Sequence, residues 1–96
     1  MKVVVREPAP GCFTPGMWHF LEDNEGCYLY VNCEQSFVSF PIMIKLNAEE
    51  YSEYHALGWT FLQYFAEKIN YWSSRYTSRK VNTTLQAEAE AAIMRG

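Results

Sequence analysis

A chain of 96 residues, 49 per cent hydrophobic and 20 per cent charged, has the material for one domain with a single core and is not a disordered chain. Its formal net charge of −3 argues against a dedicated nucleic-acid binder, because the phosphate backbone rewards a basic surface. Three cysteines, Cys12, Cys27 and Cys33, are an odd number, which fits reduced thiols better than a secreted disulfide framework.

From Met1, the chain meets Arg6, Glu7 and Pro8 too soon to hold the apolar region of a signal peptide. No apolar run approaches the length of a membrane span. The expected location is therefore cytoplasmic, with no membrane partner.

Val3 to Val5 read as a short β-branched strand, stopped by the breaker Pro8–Ala9–Pro10–Gly11. After a second breaker, Pro15–Gly16, Met17, His19 and Leu21 alternate with Trp18 and Phe20. Asp23 to Gly26 is a hairpin turn by composition. In the next segment Cys27, Leu29, Val31 and Cys33 point one way, and Tyr28, Tyr30 and Asn32 the other. Glu34–Gln35–Ser36 turns the chain again. Val38, Phe40, Ile42, Ile44 and Leu46 then form the cleanest period-two stripe in the sequence. Pro41 falls within it and cannot donate to a ladder, which places it at an edge or a bulge.

The period changes at Asn47. Asn47 with Glu50 makes a capping box, and Glu49 and Glu50 suit the positive end of a helix. Tyr51, Tyr54, Gly58, Phe61, Phe65, Ile69 and Trp72 recur at three- and four-residue steps, predicting an amphipathic helix from about Ala48 to Trp72. Gly58 inside that stripe predicts a close approach of helix to sheet. Ser73 to Lys80 reads as a connector. Thr83 with Gln86 is a second capping box, opening a helix to Met94 with a thin apolar face of Leu85, Ala89, Ala92 and Ile93. The expected fold is α+β in a single domain over residues 1–96. A three- or four-stranded antiparallel β-meander occupies residues 1–46. In residues 47–96 a long amphipathic helix packs on one sheet face and a short C-terminal helix follows. Val38, Phe40, Ile42, Ile44, Phe61, Phe65 and Ile69 are the expected core.

The residues for catalysis are not arranged. There is no phosphate-binding Gly loop, dinucleotide fingerprint or nucleophile elbow. Cys27 and Cys33, six apart on one strand face, would stand about 20 Å from each other, too far to share a metal. His19 and His55 read as packing residues, and the cysteines as small, dispensable core residues. No catalytic residue, metal ligand or cofactor is expected, and no enzyme.

Surface chemistry is richer. Sixteen aromatic residues, each burying around 150–250 Å² when packed, exceed what a core of this size hides, so some remain outside as recognition anchors. Two acidic groups, Glu22/Asp23/Glu25 and Glu49/Glu50/Glu53, could meet a basic partner. Tyr71, Trp72, Arg75, Tyr76, Arg79 and Lys80 set three cations among three aromatics, a grip for an acidic protein surface or for nucleic acid. The same cations would also suit a helix C-terminus.

The succession of Tyr28 to Cys33, Phe37 to Phe40, Ile42 to Leu46, Asn47 to Tyr51 and Gly58 to Tyr71 resembles small bacterial immunity proteins encoded beside polymorphic toxins. In those proteins a β-meander precedes a Gly-containing amphipathic helix, and the likeness covers roughly residues 27–80. The resemblance implies a cytosolic, non-enzymatic inhibitor whose partner is a cognate toxin or other effector protein. A phage-type inhibitor of a bacterial defence complex, or a small regulatory domain binding nucleic acid or a small ligand, are the alternatives.

Overall fold

The computed structural model describes residues 1–6, 18–35 and 37–95. Four strands fill the first half: β1 (Lys2–Arg6), β2 (Trp18–Asp23), β3 (Gly26–Gln35) and β4 (Val38–Lys45). They pair antiparallel in the order β1-β2-β3-β4, so each strand lies beside its sequence neighbour. The meander is as the alternation of the sequence requires. Pro8 to Gly11, Cys12, Pro15–Gly16, Met17 and Ser36, which also carried expectations, lie outside the described residues.

The β2–β3 turn is built by one carboxylate. Asp23 pairs with Gly26 across the hairpin, and its Oδ1 accepts from the main-chain N–H groups of Glu25 and Gly26 at 2.8 and 3.1 Å. Those bonds satisfy donors that the tight turn leaves without ladder partners.

Period-two alternation sends each strand's side chains to two faces. Trp18, Phe20, Leu29, Val31, Cys33, Ile42 and Ile44 meet Phe61, Leu62, Phe65 and Ile69 in one core. Leu21, Tyr28, Tyr30 and Met43 form a second core with Ala89 and Ala92. The sheet is therefore covered on both sides.

Pro41 stands on the edge strand β4, opposite Asn32 of β3. Met43 turns its carbonyl away from β3 to accept from Val81 N–H at 2.9 Å. By the two-residue period, Pro41 also turns its main chain to the open side, where a missing N–H breaks no bond to β3. There it blunts the free edge against pairing with another strand. Towards the C-terminal end of β4 that edge carries an antiparallel bridge between Ile44 and Lys80.

Helices follow the sheet: α1 (Ala48–Leu57), α2 (Trp59–Tyr71), the single turn α3 (Ser73–Tyr76) with a 3₁₀ turn over Thr77–Arg79, and α4 (Thr83–Arg95). Asn47 and Glu50 close the expected capping box. Asn47 Oδ1 accepts from Glu50 N–H at 2.8 Å, and Glu50 Oε1 from Asn47 N–H at 2.9 Å.

Four expectations are corrected. The helical stretch from Ala48 is divided at Gly58, whose φ of 66° and ψ of −146° interrupt it. No atom lies within 4 Å of where a Cβ on Gly58 would stand, so the glycine serves backbone conformation rather than close approach to the sheet. Val38 is 61 per cent exposed. It pairs with Gln35 at the turn end of the hairpin, past Glu34, whose N–H donates to the Oδ1 of Asn70 in the last turn of α2 at 2.9 Å. The C-terminal helix is capped by Asn82 rather than Thr83, because Asn82 Oδ1 accepts from Leu85 N–H at 2.8 Å. That helix covers the sheet face opposite α2, where the small Ala89 and Ala92 bring it in closely. Tyr30 ties it down, its hydroxyl donating to Glu90 at 2.7 Å from beneath.

Candidate functional site

Helix α1 is only lightly embedded. It has no buried residue, and its inward anchor is Tyr54, whose ring lies 4.5 Å from Phe20. From Gly58 the chain returns as α2 alongside α1, so that Glu50 and Lys68 line the same groove. Between the two helices runs a groove of about 600 Å³. This is within the size range of small-molecule sites, roughly 300–1,000 Å³.

The walls of the groove are stripes at helical spacing. Glu49, Glu53 and Leu57 line it from α1, while Thr60, Tyr64 and Lys68 line it from α2. Phe61, Phe65 and Tyr76 make its floor. Leu57 and Tyr64 are more than half exposed, although both are apolar or aromatic. Such side chains stay in water at a cost unless something covers them.

Glu50, expected as a binding acid, has a structural role. Its carboxylate takes two hydrogen bonds from the Arg79 guanidinium, at 2.6 and 2.8 Å, while Arg79 also donates to the Lys45 carbonyl at 3.1 Å. Burial alone would raise the Glu50 pKa. The hydrogen bonds from Arg79 and the Asn47 main chain, with the charges of Arg79 and Lys68, outweigh it and hold the carboxyl below its ordinary range. The pair latches the start of α1 to the turn after α3. Two residues assigned by sequence to opposite patches thus engage each other. Glu49 and Glu53 are exposed and, among the described residues, have no ion-pair partner.

The first acidic group divides likewise. Asp23 holds its turn and accepts from the Tyr28 hydroxyl at 3.1 Å, whereas Glu22 and Glu25 are exposed. They flank a shallower recess of about 420 Å³ that reaches Asn47 and Tyr51 on the other side of α1.

The tie between Tyr28 and Asp23 has a pH signature. Burial, then the hydrogen bond to Asp23, pushes the Tyr28 hydroxyl up to about 12, and burial pushes the Cys33 thiol up to about 11. Both groups are neutral in the fold at pKa values above their unfolded ones. Their contribution is complete below the unfolded values, near 9 for the thiol and 10 for the phenol, and is lost as pH rises through 11 and 12. Urea midpoints should accordingly fall steeply between pH 9 and 12, with Tyr28 contributing on the order of 2 kcal/mol. In Tyr28→Phe the part of that slope above pH 10 should become shallower without vanishing, because burial also raises the pKa of the Tyr30 and Tyr54 hydroxyls; an unchanged slope would show that the Tyr28 hydroxyl is solvated.

The last sequence cluster also separates. Tyr76 is buried against Phe65, at 5.9 Å between ring centres, and belongs to the core. Lys80 is exposed beside its bridge to Ile44. Tyr71 is 74 per cent exposed and meets Trp72 edge to face at 4.7 Å, with the Arg75 guanidinium 4.4 Å above the Trp72 ring. These three remain together as a surface cluster.

Sequence reasoning missed Trp59 and Tyr64, both more than half exposed, and the fully exposed Phe37 at the β3–β4 turn. Trp59 and Tyr64 fall off the stripe of Phe61, Phe65 and Ile69, and that off-stripe position was the available signal. Phe37 had a comparable signal in its place beside a turn.

Among the described residues no group of three or more His, Cys, Asp or Glu is placed to hold a metal ion, and no helix is long and apolar enough to cross a membrane. Cys27 and Cys33 carry free thiols. In comparisons with known proteins, no family model, curated protein or solved structure matches this chain.

Proposed function

We propose that this protein is a non-enzymatic, protein-binding inhibitor of the immunity type, which neutralises a toxin or other effector by covering a basic surface on it. The observation that carries the reading is the outer face of α1 and α2. There Leu57 and Tyr64 stand exposed in one groove with the carboxylates of Glu49 and Glu53, which have no ion-pair partner among the described residues, while Tyr51 and Trp59 are exposed elsewhere on the same two helices. Rigid aromatics supply contact area at low entropic cost, and the carboxylates steer a cationic partner. Nuclease-like toxins must be basic to hold nucleic acid, so an acidic inhibitor that occludes their groove needs no catalysis of its own.

The test is co-expression with the product of the adjoining gene. Growth should be arrested by that product alone and restored by this chain. With the purified pair, Glu49→Lys combined with Glu53→Lys should slow association about tenfold at low salt and remove most of its salt dependence. Glu50 is left intact because it holds Arg79. Absence of rescue, or association indifferent to both reversals, would count against the reading.

One observation favours a second reading. The Tyr71, Trp72 and Arg75 cluster offers stacked rings and a guanidinium, a surface on which bases also stack. Binding to single-stranded RNA or DNA with a steep negative salt slope, abolished by Trp72→Ala, would support a regulatory nucleic-acid role instead.

A further inference from the structure

We infer that the groove between α1 and α2 receives a basic amphipathic helix of the partner protein, apolar where it enters the Gly58 corner and cationic where it leaves. This rests on the inhibitor reading and names the segment of the partner that the site takes.

The inference comes from the order of side chains along the groove. Counted outward from Gly58, α1 presents Leu57, then Glu53, then Glu49, and α2 presents Thr60, then Tyr64, then Lys68. Each step of four residues advances about 6 Å along a helix. The corner is therefore apolar, lined by Leu57 and Phe61. One step out, the Glu53 carboxylate shares the groove with the phenol of Tyr64. A further step out stands Glu49. The adjacent Glu50 is neutralised by Arg79, and Lys68 lies on the opposite wall.

A ligand that satisfies this order has an apolar side chain at one end and two cations spaced to reach Glu53 and Glu49. On a helix those are positions i, i+4 and i+8, one face repeated at the pitch of α1 itself. The aliphatic stem of a Lys or Arg can lie along the Tyr64 and Phe65 rings while its charge reaches Glu53. An extended strand is the poorer match, because its same-face residues repeat at about 6.6–6.8 Å and overrun the groove's steps of about 6 Å by about 1.2–1.6 Å over two intervals. A flat apolar surface is excluded by the carboxylates, which would lose their water without gaining a partner. Lys68 repels a cation on the α2 wall at the mouth and leaves the α1 wall, with Glu53 and Glu49, as the cationic track.

The probe is a synthetic, amidated, helical peptide of about 15 residues, with Leu, Lys and Lys at i, i+4 and i+8 on one face and Ala and Gln elsewhere. It is titrated into the full chain by calorimetry and backbone-amide NMR. Saturable binding is expected, with the largest shift changes at Leu57 and Tyr64. Affinity should fall about tenfold at low salt in Glu49→Gln combined with Glu53→Gln, and by at least as much in Tyr64→Ala. All three positions are exposed, so these variants are expected to fold, and their unchanged amide spectra elsewhere would verify it. A control peptide with Glu in place of both Lys residues should not bind.

Equal affinity across the variants, shift changes confined to Tyr71 and Trp72, or no saturation by the Leu/Lys/Lys peptide would each overturn the groove assignment. Growth rescue separates this from the broader reading. Rescue that survives the combined Glu49, Glu53 and Tyr64 substitutions leaves the inhibitor but removes the groove. Peptide binding without rescue by the native chain keeps the groove and removes the inhibitor.

Discussion

Replacing Phe65 by Ala is expected to destabilise the protein by about 3–5 kcal/mol, the cost of removing a large aromatic side chain from a packed interior. Phe65 is 4 per cent exposed and sits where three elements converge, with its ring 5.4 Å from that of Phe61 and 5.9 Å from that of Tyr76. It belongs to the core that α2 makes with the sheet, and its outer edge forms part of the groove floor. Truncation opens a void that joins the groove, so water can enter where a sealed cavity would stay empty. That relief moves the cost towards the lower end of the range. It does not remove the transfer term, and domains of this size have about 5–15 kcal/mol in total. Urea unfolding gives the number directly, and Phe65→Leu, which restores most of the volume, should recover more than half of it. If the Ala variant kept the native midpoint, α2 would not present this face to the sheet.

The same residues show what was legible in the sequence. Where one physical rule dominates, reading was direct: the alternation of β3 sorted Cys27, Leu29, Val31 and Cys33 from Tyr28 and Tyr30, and the structure keeps that division across its two cores. Asn47 and Glu50 could be read because a capping box is local. What could not be read depends on partners distant in sequence. Glu50 and Arg79 are 29 residues apart, and neither pattern nor spacing says that one latches the other. Tyr76 had the composition of a surface aromatic and became core because α3 folds it onto Phe65. The thin apolar face of α4 underestimated its role. A helix that buries Ala needs few large residues, because its backbone can approach the sheet. The groove was legible in fragments only. Glu49 and Glu53 were visible as acids, but Leu57, Tyr64 and the hollow between two helices exist only because Gly58 turns the chain back.

Substituting Gly58 separates two explanations of a glycine that sequence alone confuses. A glycine kept for close packing is damaged by any added methyl group, whichever hand it has. Gly58 has φ +66° and ψ −146°, a region L residues rarely occupy, and nothing lies within 4 Å of a Cβ built there. Gly58→Ala with the natural L residue should therefore destabilise by about 1–3 kcal/mol through backbone strain alone. D-Ala at the same position, introduced by chemical ligation, reverses the sign. Its favoured conformations are mirror images, and the mirror of this geometry lies at φ −66° and ψ +146°, in the extended polyproline region. D-Ala adds no backbone strain and narrows the unfolded ensemble, so with room for its methyl group, which takes the place of the other Gly58 hydrogen, it should stabilise by about 0.4–1 kcal/mol. The two variants have identical composition and differ at one stereocentre, so their denaturation midpoints compare backbone conformation together with the space on either side of the Gly58 Cα. Destabilisation by both would restore the close-approach explanation. Opposite signs would establish Gly58 as the corner that forms the groove, and the D-Ala protein, with that corner fixed, should bind the basic helical peptide at least as tightly as the native chain.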